Sequence, residues 1–191
     1  VFTWSIQSDR IVQNLPGRPM NISILTPAGP DSKAGNRATA LRWQQLLEQA
    51  GHQVAVVTGY DGEPTDLLIA LHAWRSADAI QQFHTEWPEK PLIVALTGTD
   101  IYHHQYEYPE PTHASMAAAS VLIGLHDLVA QDIPETFRHK LLTLRQSAAK
   151  PAVRGGSRPE PGQFNICVIG HLRDEKDSLR AAWASRLLPE E

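Results

Sequence analysis

The chain has 191 residues, a formal net charge of −4, and 42% apolar and 20% charged residues. That length suits one full domain, or one domain plus part of another, and the apolar share is enough for a sizeable core. The 17 basic and 21 acidic residues are scattered, which argues against a general nucleic-acid-binding surface. No apolar run reaches the roughly 18 to 20 residues of a membrane span.

Residues 1–19 (VFTWSIQSDRIVQNLPGRP) keep no sustained period, contain no Met and lack the continuous apolar core of a secretory signal. They read as an extension outside the fold, which is expected to begin at Met20. Residues 21–26 (NISILT) form a first strand. A loop with Pro27, Gly29, Pro30 and Gly35 leads into a helix over 36–50, with Ala40, Trp43, Leu46 and Leu47 on one face and Gly51 as its stop. Strands follow at 53–58 (QVAVVT) and 66–71 (DLLIAL). Ser76 is the N-cap of a helix reaching Trp87, closed by Pro88. Strands at 91–96 (PLIVAL) and 121–125 (VLIGL) flank a short helix over 112–119. Residues 127–139 read as helical or as two short helices, and 141–145 (LLTLR) as a sixth strand.

Nearly continuous Val/Ile/Leu strands alternating with helices predict an α/β fold: a Rossmann-like, doubly wound parallel sheet covered on both faces, spanning 20–149. Residues 150–163, rich in Pro and Gly, read as a linker. From 164 a second strand (FNICVI) and a helix over 177–188 begin another Rossmann-like unit. Cys167 is the single cysteine, so a disulfide framework and a cysteine-based zinc site are excluded. Within its apolar run it reads as a buried free thiol of a reducing compartment, and a cytoplasmic protein is the expectation. A lone strand–helix pair cannot bury its own apolar faces, so the chain reads as the front part of a longer two-domain protein.

Open parallel sheets bind ligands beyond the carboxyl ends of their strands. After the first strand, Gly35, Asn36 and Arg37 stand at a helix entrance suited to an anion such as phosphate, with Lys33 adding charge. The glycine spacing fits neither a dinucleotide fingerprint nor a P-loop, and a solvated turn is the plain alternative. After the fourth strand, Thr97, Gly98, Thr99 and Asp100 offer two hydroxyls, a flexible glycine and a carboxylate to a polyol or phosphate. Asp100 has the alternative role of capping a short helix. Adjacent His103 and His104, with His113 nearby, point in different directions and read as surface histidines rather than metal ligands. After the second unit's first strand, Gly170 is followed by Arg173 and Lys176, a pair suited to clamping a diphosphate; Asp174, Glu175 and Asp177 could instead pair with them. No Ser-His-Asp, Cys-His or H-E-x-x-H pattern points to a hydrolase or metalloprotease. Two classes remain: a transferase using a nucleotide-activated donor between tandem Rossmann-like domains, and a non-catalytic Rossmann-like binding module.

The stretch Gly170-His171-Leu172-Arg173-Asp174-Glu175-Lys176 resembles the turn that opens the donor domain of GT-B glycosyltransferases, with His171 where a basic residue usually follows the glycine. A closer resemblance, to the selenosugar synthases of selenoneine biosynthesis, rests on SILTPAGPDSKAGNRATALRW, VALTGTDIY, RQSA and VIGHLRDEKDSLRAAWASRLLP. It covers Met20 to the end with gaps. It implies an acceptor domain over 20–149 and the start of a nucleotide-sugar donor domain at 164–191. It also implies that selenophosphate attacks the anomeric carbon of a UDP-sugar, with release of UDP and phosphate. By that resemblance Arg173 and Lys176 stabilise the leaving UDP, and Gly35, Asn36 and Arg37 cradle selenophosphate. Thr97, Gly98, Thr99 and Asp100 orient the acceptor or a sugar hydroxyl, while Gln146, Ser147, Gly170 and His171 line the cleft. No metal or other cofactor is implied, the UDP-sugar being a substrate. The partners implied are small molecules and the remainder of the donor domain, and the 191 residues alone are expected to be inactive. An ordinary GT-B enzyme with a hydroxyl acceptor is the runner-up.

Overall fold

The computed structural model describes residues 18–148, 166–170 and 177–188. The chain divides into two compact units, Val1–Ala148 and Ala149–Glu191. In the first, six strands form one all-parallel sheet: β1 (Asn21–Leu25), β2 (Gln53–Val57), β3 (Leu67–Leu71), β4 (Leu92–Leu96), β5 (Val121–Gly124) and β6 (Leu141–Thr143). Their order is β2-β1-β3-β4-β5-β6, so the direction of winding reverses between β1 and β3. Helices α1 (Gly35–Gln49), α2 (Ala77–Glu86), α3 (Gln105–Glu107), α4 (Pro109–Ala118) and α5 (Val129–Asp132) fill the crossovers, with a π-helical turn at Asp100–His104 and a 3-10 turn at Glu135–Lys140. This is the Rossmann-like α/β sheet that the strand pattern predicts.

Why the strands sit inside follows from their two-residue period. Leu68, Ala70, Val94, Leu96 and Leu122 point to one face, where Ile80, Phe83 and Met116 of α2 and α4 cover them. Leu67, Ile69, Leu71, Ala95 and Ile123 point to the other, where Ala40 and Trp43 of α1 meet them. Coverage of that second face is less complete than a doubly wound sheet implies. The β2–β3 crossover carries no helix, so among the described residues α1 alone serves this side. A groove of about 310 Å³ stays open there, floored by Leu67, Ile69, Ile93 and Ile123 and walled by Trp43 and Leu46.

Past β6 the chain turns back toward α1. Leu144 N–H donates to the Gly124 carbonyl at 2.8 Å, and the Gln146 amide donates to Thr39 Oγ1 at 2.9 Å. The sixth strand is therefore three residues rather than five.

The second unit departs from its expectation. Residues 166–170 are exposed and form no strand, since no strand among the described residues pairs with them. Cys167 is accordingly exposed, not buried. Ile166 and Val168 instead border a groove with Ala181, Ala184 and Leu188 of the following helical segment, of which only α6 (Arg180–Ser185) is helical. Residues 1–17 of the extension expected over 1–19, the linker, and His171, Arg173 and Lys176 lie outside the described residues. No helix among the described residues is long and apolar enough to cross a membrane.

Candidate functional site

The parallel sheet gathers the loops after β1, β3, β4 and β5 at one edge, with the winding reversal between β1 and β3. The loop after β4 is the most strongly built. Asp100 is completely buried, and its carboxylate accepts from four backbone N–H groups: Gly98 at 2.8 Å, Ala73 at 3.0 Å, Thr97 at 3.1 Å and Ile101 at 3.2 Å. Three of these belong to its own loop and the fourth to the loop after β3. Gly98 takes φ +115°, a conformation that favours glycine. The Asp100 side chain thus holds the loop and is not free for a ligand hydroxyl, which corrects the role expected of it. What it leaves at the edge are the half-buried Thr97 and Thr99, and Thr97 Oγ1 has no hydrogen-bond partner among the described residues.

Thr99 is gripped by two histidines that sequence reasoning placed elsewhere or passed over. His72 follows β3 directly, is 2% exposed and holds φ +76°. Arg75 N–H donates to its Nδ1 at 3.2 Å, and Nε2 lies 3.0 Å from Thr99 Oγ1. Burial pulls the His72 pKa down to about 4, against the partial opposition of Asp100 and with smaller help from His104 and Arg75. The ring is therefore neutral at pH 7. Because Nδ1 is an acceptor, Nε2 carries the proton and donates to Thr99 Oγ1. The hydroxyl's own hydrogen is then directed away from His72. His104 Nδ1 donates to the Thr99 carbonyl at 2.8 Å. His104 is 8% exposed and stacks on Trp74 at 4.1 Å, so it is not a surface histidine, whereas half-exposed His103 pairs with Glu107 at 2.9 Å.

A further histidine lies two residues past β5: Tyr102 Oη and His126 Nε2 approach to 2.7 Å, and Leu128 N–H donates to His126 Nδ1 at 3.2 Å. The signal for both His72 and His126 is a Leu-His step immediately after a buried parallel strand. That step puts an imidazole at the ligand edge.

At the start of α1, Ala34 occupies the N-cap position and no side chain caps the helix; Arg37 N–H donates to the Ala34 carbonyl at 3.0 Å, which leaves the Gly35 and Asn36 N–H groups without an intrahelical acceptor. Arg37 Nε is buried and has no hydrogen-bond partner among the described residues. Gly35 has open space where a Cβ would stand, so nothing within the described residues requires glycine there. Gln146 and Ser147 do join this group: they border a cleft of about 150 Å³ with Gly35, Ala38, Thr39, Arg42 and Trp43. Gly170 is exposed in the second unit and likewise has open space around its Cα. Among the described residues no three His, Cys, Asp or Glu side chains converge to hold a metal ion.

No family model matches the chain, and no curated protein matches it.

Proposed function

We propose that this sheet is the acceptor-side domain of a nucleotide-sugar-dependent transferase of the GT-B type, and that the acceptor is selenophosphate. The observation that carries the reading is the Thr97–Asp100 loop. It is fixed at the carboxyl edge of a parallel sheet by a carboxylate that accepts four N–H groups, and it presents a half-buried threonine hydroxyl whose own hydrogen is not taken up by neutral His72. A threonine O–H donor suits the oxygen of an anionic nucleophile. The uncapped start of α1, with the partnerless Arg37 Nε, supplies positive potential on the same edge.

In this mechanism the chain binds and orients. Selenophosphate is already anionic and needs no general base to attack the anomeric carbon. The selenium–carbon bond forms as the bond to UDP breaks, and later cleavage of the selenium–phosphorus bond by water releases phosphate. Arg173 and Lys176 are the residues proposed to hold the departing diphosphate. The resemblance of the four quoted segments is the support for selenium over oxygen.

The test incubates the gene-encoded protein with UDP-glucose or UDP-N-acetylglucosamine and selenophosphate. UDP and selenium-bearing sugar are followed by mass spectrometry. Selenosugar that falls sharply in Arg173→Ala and Lys176→Ala is the expected result. UDP-sugar binding without selenosugar would pass the function to a hydroxyl acceptor.

A further inference from the structure

The imidazole of His104 has no part in the mechanism above, yet its ring is fixed and one of its nitrogens is left open. Nδ1 meets the Thr99 carbonyl at 2.8 Å. A carbonyl only accepts, so the proton sits on Nδ1 and the neutral ring keeps a bare lone pair on Nε2. Nε2 bonds to none of the described residues, and it is not among the buried polar atoms left without a partner. It therefore reaches the surface although the residue is only 8% exposed. The ring is held by Trp74, stacked on it at 4.1 Å, and by His103, edge-on at 5.1 Å. Thr99 stands between two histidines: His104 holds its carbonyl and His72 donates to its hydroxyl, with the two rings 5.2 Å apart. One corner of the ligand edge thus offers a hydroxyl hydrogen, on Thr99, beside an acceptor with no hydrogen of its own. The carboxylate of Asp100 is occupied by four backbone N–H groups and cannot serve as that acceptor.

We propose that His104 is the residue that decides which oxyanion this edge accepts, and that it selects one still carrying a proton. Thr99 donates to one oxygen of the anion, and the anion's own O–H donates to His104 Nε2. A fully ionised anion would instead set an oxygen lone pair against the lone pair of Nε2. A site built around a ligand O–H rejects the analogue that lacks it, because its own polar group is then left unmatched. The inference rests on the reading of this edge as the seat of an oxyanion acceptor. What it adds is the discriminating residue and the rule it applies. Hydrogen-bearing anions of the phosphate type bind, whereas sulfate and ionised phosphate esters, with no proton to give, bind weakly.

Hydrogen phosphate and sulfate are the probes, because at about pH 8 they are dianions of nearly one shape that differ by a single proton. Methyl phosphate, fully ionised at that pH, is the third. The 191-residue chain is labelled with nitrogen-15. The His104 imidazole signal is the one lost in His104→Gln, and the amide signals of residues 97–101 follow binding in every variant. Three results are expected of the wild type: an unprotonated Nε2 in the free chain, a saturable shift of that nitrogen with phosphate, and affinity for phosphate about tenfold or more above that for sulfate and methyl phosphate. His104→Phe keeps a ring on Trp74 and removes the acceptor, so its phosphate-to-sulfate ratio should fall close to unity. His104→Gln retains an acceptor and should keep part of the preference. The proposal is overturned if Nε2 carries a proton at that pH, or if phosphate does not saturate by about 50 mM. It is overturned equally if the wild type binds sulfate as well as phosphate, or if the preference survives in His104→Phe. Discrimination without any selenosugar in the transferase assay would sink the transferase reading alone, and selenosugar from a chain that does not discriminate would sink this inference alone.

Discussion

His72 Nε2 and Thr99 Oγ1 meet at 3.0 Å across the gap between β3 and β4, with His72 held in a left-handed backbone conformation to reach it. The contact joins the loop after β3, which borders the winding reversal of the sheet, to the loop after its neighbour β4. Its direction is set by a ring that burial keeps neutral, so the donor at the site edge depends on a group that never faces solvent.

Stability should depend on the protonation of His72. An unfolded histidine titrates near 6.5 and the folded one near 4, so between those values the unfolded chain binds the extra proton. Stability is fully present above about pH 6.5 and falls as pH drops toward 4, by up to about 3 kcal/mol from this group. Urea unfolding at pH 7, 6, 5 and 4.5 measures the slope. His72→Asn keeps a residue that tolerates positive φ and removes the imidazole, so its slope over that range should be shallower than that of the wild type.

Asp100→Asn should destabilise the protein by about 3 kcal/mol, since an amide offers one acceptor oxygen where two served four buried N–H groups. Asp66→Asn is the comparison: Asp66 accepts a single N–H, from Asn21 at an exposed site. Its cost should be under about 1 kcal/mol. Denaturant midpoints at pH 7 separate the two. Equal small losses would sink the organising role assigned to Asp100.

The six strand spans of the first unit were legible in the sequence to within a residue or two, because runs such as LLIAL and LIVAL have one use in an α/β sheet: a strand apolar on both sides. Helix α1 was equally plain from its spacing. The role of Asp100 was not legible, because Ala73, one of its four donors, lies 27 residues away in another loop. His104 was misplaced for a similar reason: its burial comes from Trp74, which no local pattern connects to it. Ser76 does hold the N-cap position of α2, but its hydroxyl donates back to the Leu71 carbonyl at 2.8 Å instead of capping the helix. The apolar run around Cys167 promised a buried strand, but hydrophobicity alone cannot supply a partner edge.

Two glycines of the candidate site should behave differently. Gly98→Ala meets no atom within 4 Å, so its cost is that of φ +115° alone, about 1 to 3 kcal/mol. Gly35→Ala also meets open space, and at the first turn of α1 it should be neutral or stabilising by up to about 1 kcal/mol. Thermal unfolding measures both. A retained affinity for phosphate-like anions in Gly35→Ala would remove glycine, though not the helix start, from the ligand cradle.

Gly124 has a steric role instead. An added Cβ would stand 3.0 Å from Val129 Cβ, with both γ-carbons within 3.2 Å. Val129 is branched at that atom and buried, so it cannot swing aside. Gly124→Ala should cost about 1 to 3 kcal/mol. Val129→Ala removes only the two γ-carbons, so the double variant should recover part of that loss in a double-mutant cycle.

The carboxylate of Asp100 also bears on how a ligand would arrive. By bonding Ala73 as well as its own loop, it couples two segments that in many α/β sheets move independently. Their backbone freedom is surrendered when the chain folds, not when a ligand docks. Association at Thr99 should then show little loss of conformational entropy in calorimetry, and amide exchange of residues 97–101 should be nearly the same with and without ligand.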